Sequence, residues 1–172
     1  MTTIFARLPR LIAFTLLLAA IACGAAVARS LEGVVRHVTD GDTLWVQPAA
    51  GAALQIRIAG IDAPEICQPF GPQARDALAA RVLHRPVVVA TRARDIYHRT
   101  VGRVSSEGHD IGAWLVSGGY AWSPGYRHHP GPYAAEETHA RQARRGLWAA
   151  AATEPKEFRK RHGSCHRAAR RL

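Results

Sequence analysis

Two short acidic bends carry the residue types that could do chemistry. The first is Asp40-Gly41-Asp42-Thr43. The second closes the stretch Arg57-Ile58-Ala59-Gly60-Ile61-Asp62-Ala63-Pro64-Glu65. Carboxylates at such spacing can hold a hard divalent cation, and a guanidinium beside them can grip two oxygens of a phosphate at once. Either bend alone reads as a surface ion pair that fixes a turn. The recurrence of acids one strand apart favours a shared site. A third segment, Asp95-Ile96-Tyr97-His98-Arg99, adds a second arginine.

Strands must position these bends. Leu31 to Val38 is rich in valine, Asp40-Gly41 supplies a turn, and Thr43 to Val46 resumes an extended apolar pattern, so a hairpin is predicted. Leu54, Ile56 and Ile58 alternate with Gln55 and Arg57, which places Arg57 on the face opposite the core. Pro72 starts a helix in which Ala74, Ala77, Leu78 and Val82 recur at helical spacing, ending near Arg85-Pro86. Val87-Val88-Val89 reads as a buried strand, followed by a return strand from Thr100 to Val104 and a turn at Glu107-Gly108. Two further helices are predicted, Ile111 to Trp122, broken by Ser117-Gly118-Gly119, and Tyr133 to Trp148, with Ala135, His139, Gln142 and Ala143 along one stripe. Strands, a helix, two strands and then helices describe an α+β fold, best satisfied by a small antiparallel barrel capped by helices.

The chain has 172 residues, of which 48% are hydrophobic, enough for one domain with a real core and against global disorder. Lys and Arg number 23 against 13 Asp and Glu, so the natural partner is polyanionic: nucleic acid or an anionic membrane surface. Arg7 and Arg10, the apolar run Leu11 to Ala22 and Ala26-Val27-Ala28 form a signal peptide pattern over residues 1–28. The run is too short for a stable membrane span. Ala20-Ile21-Ala22-Cys23 offers lipid attachment as an alternative. A domain over 29–153 and a basic tail over 154–172 follow, the tail losing apolar periodicity and reading as a mobile, solvated end. Cys67 and Cys165 remain after processing, an even pair for an oxidising compartment; a disulfide and two free thiols are equally compatible with the sequence. Neither cysteine has zinc-site spacing.

Taken together and in order, Asp40-Gly-Asp-Thr43, Arg57-x-x-Gly-Ile-Asp-Ala-Pro-Glu65 and Asp95-x-Tyr-x-Arg99 with Val101-Gly-Arg-Val104 resemble the thermonuclease family, typified by staphylococcal nuclease, over roughly Leu31 to Trp148. The resemblance implies an OB-fold, a five-stranded antiparallel barrel with about three α-helices, and hydrolysis of the DNA and RNA backbone with one calcium ion. By motif position, Asp42, Asp62 and the backbone carbonyl of Ala63 are the implied calcium ligands. Glu65 is implied to orient or deprotonate the attacking water, Arg57 and Arg99 to grip the scissile phosphate, and Tyr97 to line a base pocket. Tyr126 is a further candidate for base contact, in a stretch, Ser123-Pro-Gly-Tyr126, that departs from the family's aromatic pocket. Ala63 replaces a frequent Thr, and His98 stands where the family usually has Gly.

Three functions fit this reading. The first is an exported, secreted or periplasmic, calcium-dependent endonuclease, a monomer acting on single-stranded or locally opened DNA and RNA with little sequence preference. The second is a non-catalytic OB-fold module that binds nucleic acid, and the third a basic protein associated with the envelope. His128, His129 and His139 are read as exposed histidines rather than a transition-metal site.

Overall fold

Alternation of apolar and polar side chains builds the sheet in the computed structural model, which describes residues 30–165. Strand β1 (Ser30–Val38) pairs antiparallel with β2 (Thr43–Pro48), placing Val35 opposite Val46 and Val38 opposite Leu44, with a register shift between Val35 and His37. Strand β2 pairs antiparallel with β3 (Leu54–Ile58), and β1 pairs on its other side with β4 (Pro86–Arg94). Strand β5 (Thr100–Ser106) returns along β4, and the Glu107-Gly108 turn leads to the two-residue β6 (His109–Asp110). The ring closes where β3 meets β5, with Ile56, Arg57 and Ile58 opposite Thr100, Val101 and Gly102. That seam is parallel, so the expected five-stranded barrel is present with mixed rather than wholly antiparallel pairing.

Among the described residues four α-helices accompany the barrel, one more than the resemblance implies. Helix α1 (Gly71–Val82) buries Ala74, Leu78 and Val82 against the strands, as the spacing predicts. Helix α2 (Ile111–Ser117) is capped by Asp110, whose carboxylate accepts from Ala113 N–H at 3.0 Å; it stops at Ser117 because Gly118-Gly119 turns the chain, with Gly119 at φ 72. The third predicted helix divides into α3 (Ala134–Gln142) and a 3-10 turn (Gly146–Ala149). Its buried residue is Ala140; Ala135, His139, Gln142 and Ala143 face solvent, so the predicted stripe lies on the wrong side. Val88 is likewise exposed while Val87 and Val89 are buried, so β4 has one core face rather than two.

Helix α4 (Pro155–His162) corrects the reading of the tail. It lies over the second acidic bend and buries Pro155, although its composition is almost wholly polar. The proposed signal peptide, residues 1–28, lies outside the described residues. Among the described residues no helix is long and apolar enough to cross a membrane. The core joins Val35, Leu44, Val46, Ile56, Ile58 and Val104 inside the barrel to Leu78, Ile111 and Leu115 from α1 and α2. Truncating any of the isoleucines or leucines to alanine costs about 2–5 kcal/mol.

Candidate active site

The two acidic bends meet because backbone and packing force them together. Thr39 N–H donates to Thr43 O at 2.8 Å across the first bend, and Ile58 N–H donates to Asp42 O at 2.8 Å, tying that bend to the end of β3. Gly41 is required there: a methyl group on it would lie 2.7 Å from Ala63 Cβ and 2.8 Å from Ala74 Cβ. At the end of β3, Gly60 takes φ 80 and swings the chain into the second bend. Asp62 is then held by reciprocal backbone hydrogen bonds with Trp122, both 3.0 Å, while Ala63 N–H donates to Asp42 Oδ2 at 3.3 Å.

Arg57 sits between the two acids. Its Nη2 is 3.1 Å from Asp42 Oδ2 and 2.9 Å from Asp62 Oδ1, and Nη1 donates to Ile61 O at 3.2 Å. The negative charge of Asp42, against the cost of burial, pushes the guanidinium pKa above its ordinary value. Asp40 also belongs to the cluster. Its carboxylate accepts from Asp42 N–H at 3.0 Å, and burial together with the charge of Asp42 pushes its pKa up to about 8.

Arg99 reaches the same cluster from the β4–β5 turn. Its Nη1 donates to Thr43 Oγ1 at 3.3 Å, and that hydroxyl donates to Asp42 Oδ1 at 2.8 Å. Asp95 builds the turn, accepting at Oδ1 from Tyr97 N–H (2.9 Å) and Arg99 N–H (3.0 Å) and at Oδ2 from Arg99 Nε (2.8 Å). Burial opposes its ionisation, but these bonds outweigh it and hold the carboxyl below the usual range. His98 takes φ 63, the left-handed conformation that a glycine would accept without steric cost.

Glu65 stands at the far side of Asp62, and one cation spans the two. Arg159 of α4 donates from Nη2 to Asp62 Oδ2 at 3.0 Å and from Nη1 to Asp62 Oδ1 at 3.3 Å and Glu65 Oε1 at 2.9 Å. Burial pushes the Asp62 carboxyl above the usual range, against the hydrogen bond from Arg159. Cys67 and Cys165 form a disulfide across 98 residues, and Gln68 Nε2 donates to Thr153 O at 2.6 Å, so the chain is fastened at both ends of α4.

Arg57, Glu65, Arg99, Asp42, Asp62 and Ala63 are thus brought into one hydrogen-bonded cluster. Tyr97 lies at its rim, exposed, with the Arg99 guanidinium 5.4 Å from its ring centre. Tyr126 is exposed on a separate turn, paired with His129 through the backbone and stacked with Arg127. His128, His129 and His139 are exposed. Trp122 is buried, edge-on to Trp148, and serves the site through its backbone pairing with Asp62. Sequence reasoning passed over Asp40, Asp95 and Trp122 as site residues, and took Arg159 for part of a solvated basic end. The motif spelling Asp-x-Asp and Asp-x-Tyr-x-Arg contained the first two; Arg159 had no local signal.

Among the described residues no three His, Cys, Asp or Glu side chains are gathered as a ready metal cage. The donor set nevertheless fits a hard cation. Asp42 Oδ2 and Asp62 Oδ1 flank a single nitrogen of Arg57, so they already converge. All the donors are oxygen, which suits calcium or magnesium rather than zinc.

A family model described as staphylococcal nuclease homologue matches residues 55–150. An uncharacterized endonuclease of Haemophilus influenzae is 32% identical over 115 residues, covering 67% of this chain and 65% of that protein. An uncharacterized endonuclease of Escherichia coli O157:H7 is 33% identical over 126 residues, covering 73% of this chain and 82% of that protein. A micrococcal nuclease of Shigella flexneri is 35% identical over 143 residues, covering 75% and 80% respectively.

Proposed function

The chain belongs to the staphylococcal nuclease homologue family, and on that premise we propose that it is an exported, calcium-dependent endonuclease that hydrolyses the phosphodiester backbone of DNA and RNA with little sequence preference. One observation carries the reading: Arg99, Thr43, Asp42, Arg57 and Asp62 form an unbroken chain of polar contacts in which Asp42 links the two arginines and Arg57 links the two carboxylates.

Hydrolysis at phosphorus loads charge onto the non-bridging oxygens. Two guanidiniums fixed by their own partners can meet that charge with little reorganisation. Arg57 is oriented by Asp42, Asp62 and Ile61 O, and Arg99 by Asp95 and Thr43, so both present a set geometry before substrate arrives. Asp42, Asp62 and the carbonyl of Ala63 would hold calcium, which when bound neutralises phosphate charge and positions water. Glu65 takes the role of orienting the attacking water through a carboxylate oxygen and accepting its proton. Tyr97, exposed beside Arg99, offers a stacking face that any base can use once the strand is opened. The net charge of +10 and the exposed Arg92 and Arg94 of β4 supply backbone affinity without base identity.

Export is supported by the N-terminal pattern of residues 1–28 and by the Cys67–Cys165 disulfide, which belongs to an oxidising compartment. Plasmid nicking and RNA degradation by the purified protein, with calcium and with a chelator, test the whole reading. Cleavage is expected with calcium alone. Binding of either nucleic acid with no cleavage in calcium would leave a binding module in its place.

A further inference from the structure

The contact between Arg159 and the acidic pair does more than anchor a tail. Asp62 and Glu65 side chains are 12% and 13% exposed, whereas Arg159, which covers them, is 35% exposed. The cover therefore stays open to solvent while the acids beneath it do not. It engages both oxygens of Asp62 and one of Glu65. The helix that carries it is fastened at Thr153 by Gln68 and at Cys165 by Cys67, two residues from Glu65.

We propose that Arg159 is an internal competitor for the divalent cation: its guanidinium holds the place beside Asp62 and Glu65, and calcium enters by expelling it and loosening α4. This rests on the reading of Asp62 as a calcium ligand given above. A divalent ion on Asp62 is repelled by both neighbouring guanidiniums, and Arg159, carried on a separate helix and not held as Arg57 is by Asp42 and Ile61 O, is the one that yields. The disulfide gives the competitor its strength, because a tethered group returns at a high effective concentration. Arg159 thus sets how much calcium the site requires, and the Cys67–Cys165 tether strengthens its competition.

Cation affinity is measured by calorimetry with calcium and by terbium luminescence on the oxidised wild type, Arg159→Ala and Arg159→Gln, with circular dichroism to confirm folding. Hydrogen exchange is followed over residues 155–162 of the wild type with and without calcium. For a docked-to-free ratio of about 10:1, both variants bind the cation about tenfold more tightly than wild type. By reciprocity, calcium speeds exchange in α4. Reducing the disulfide tightens binding in the wild type and leaves Arg159→Ala unchanged. Equal or weaker binding in both folded variants, with exchange in α4 unmoved by calcium, overturns the competition and leaves the calcium reading intact. Absence of binding to any of the three proteins at about 10 mM calcium, above the range of weak extracellular sites, overturns both.

Discussion

Removing the Cys67–Cys165 bridge should cost the protein a large part of its stability, and the cost can be worked out from the covalent topology. The bond links residues 98 positions apart, so it closes most of the domain into one loop. In the chain-entropy description a loop of this size contributes about 4.7 kcal/mol by restricting the unfolded chain, and measured disulfides commonly contribute about 2–4 kcal/mol. With a urea m-value of about 2 kcal/mol per molar for a domain of this size, the denaturation midpoint of a Cys67→Ser/Cys165→Ser double variant should fall by about 1–2 M. Thiol reductant should move the wild type to the same midpoint and leave the double variant where it is. A midpoint shift below about 0.3 M, or a reductant effect on the double variant, would refute this reasoning.

Other perturbations address the site and its supports. Arg99→Lys keeps the charge and loses the planar fork, and cleavage should fall about 100- to 1000-fold with the fold intact by circular dichroism; near-normal turnover would remove Arg99 from the chemistry. His98→Gly relieves a left-handed residue at φ 63 and should stabilise the protein by about 1 kcal/mol in chemical denaturation, with a loss of stability showing that the His98 side chain has a role of its own. The lowered pKa of Asp95 means that its contribution to stability is present above the unfolded value of 3.8 and is lost as pH falls through the folded value. Asp95→Asn should therefore flatten the acid limb of the stability profile below about pH 4, which a pH series of thermal melts measures. Tyr133 donates to Asp110, the cap of α2, so Tyr133→Phe should cost about 1.5 kcal/mol by denaturation.

The barrel and the acidic site were legible because their signals are local. Alternation of Leu54, Ile56 and Ile58 fixes which side of β3 Arg57 occupies, and Asp40-Gly-Asp and Asp62-Ala-Pro-Glu65 spell their own turns. The turn at Asp95 was legible for the same reason. The docking of Arg159 was not, since a contact across 94 to 97 positions leaves no periodic trace and a cluster of basic residues reads as a solvated end. The stripe on α3 was misassigned because its buried member, Ala140, is flanked by polar residues, while the small residues Ala135 and Ala143 face water. Trp122 went unread as a support of Asp62 because its contribution is made through backbone atoms, which carry no side-chain signature.

The seam between β3 and β5 has a consequence for association. With it closed, β1 to β5 each have a neighbour on both sides, and the two-residue β6 is the short margin that remains among the described strands. A cylinder of this kind offers a passing chain almost no row of unpaired amides on which to add a strand, so self-templated growth into fibres must begin from molecules whose seam has opened.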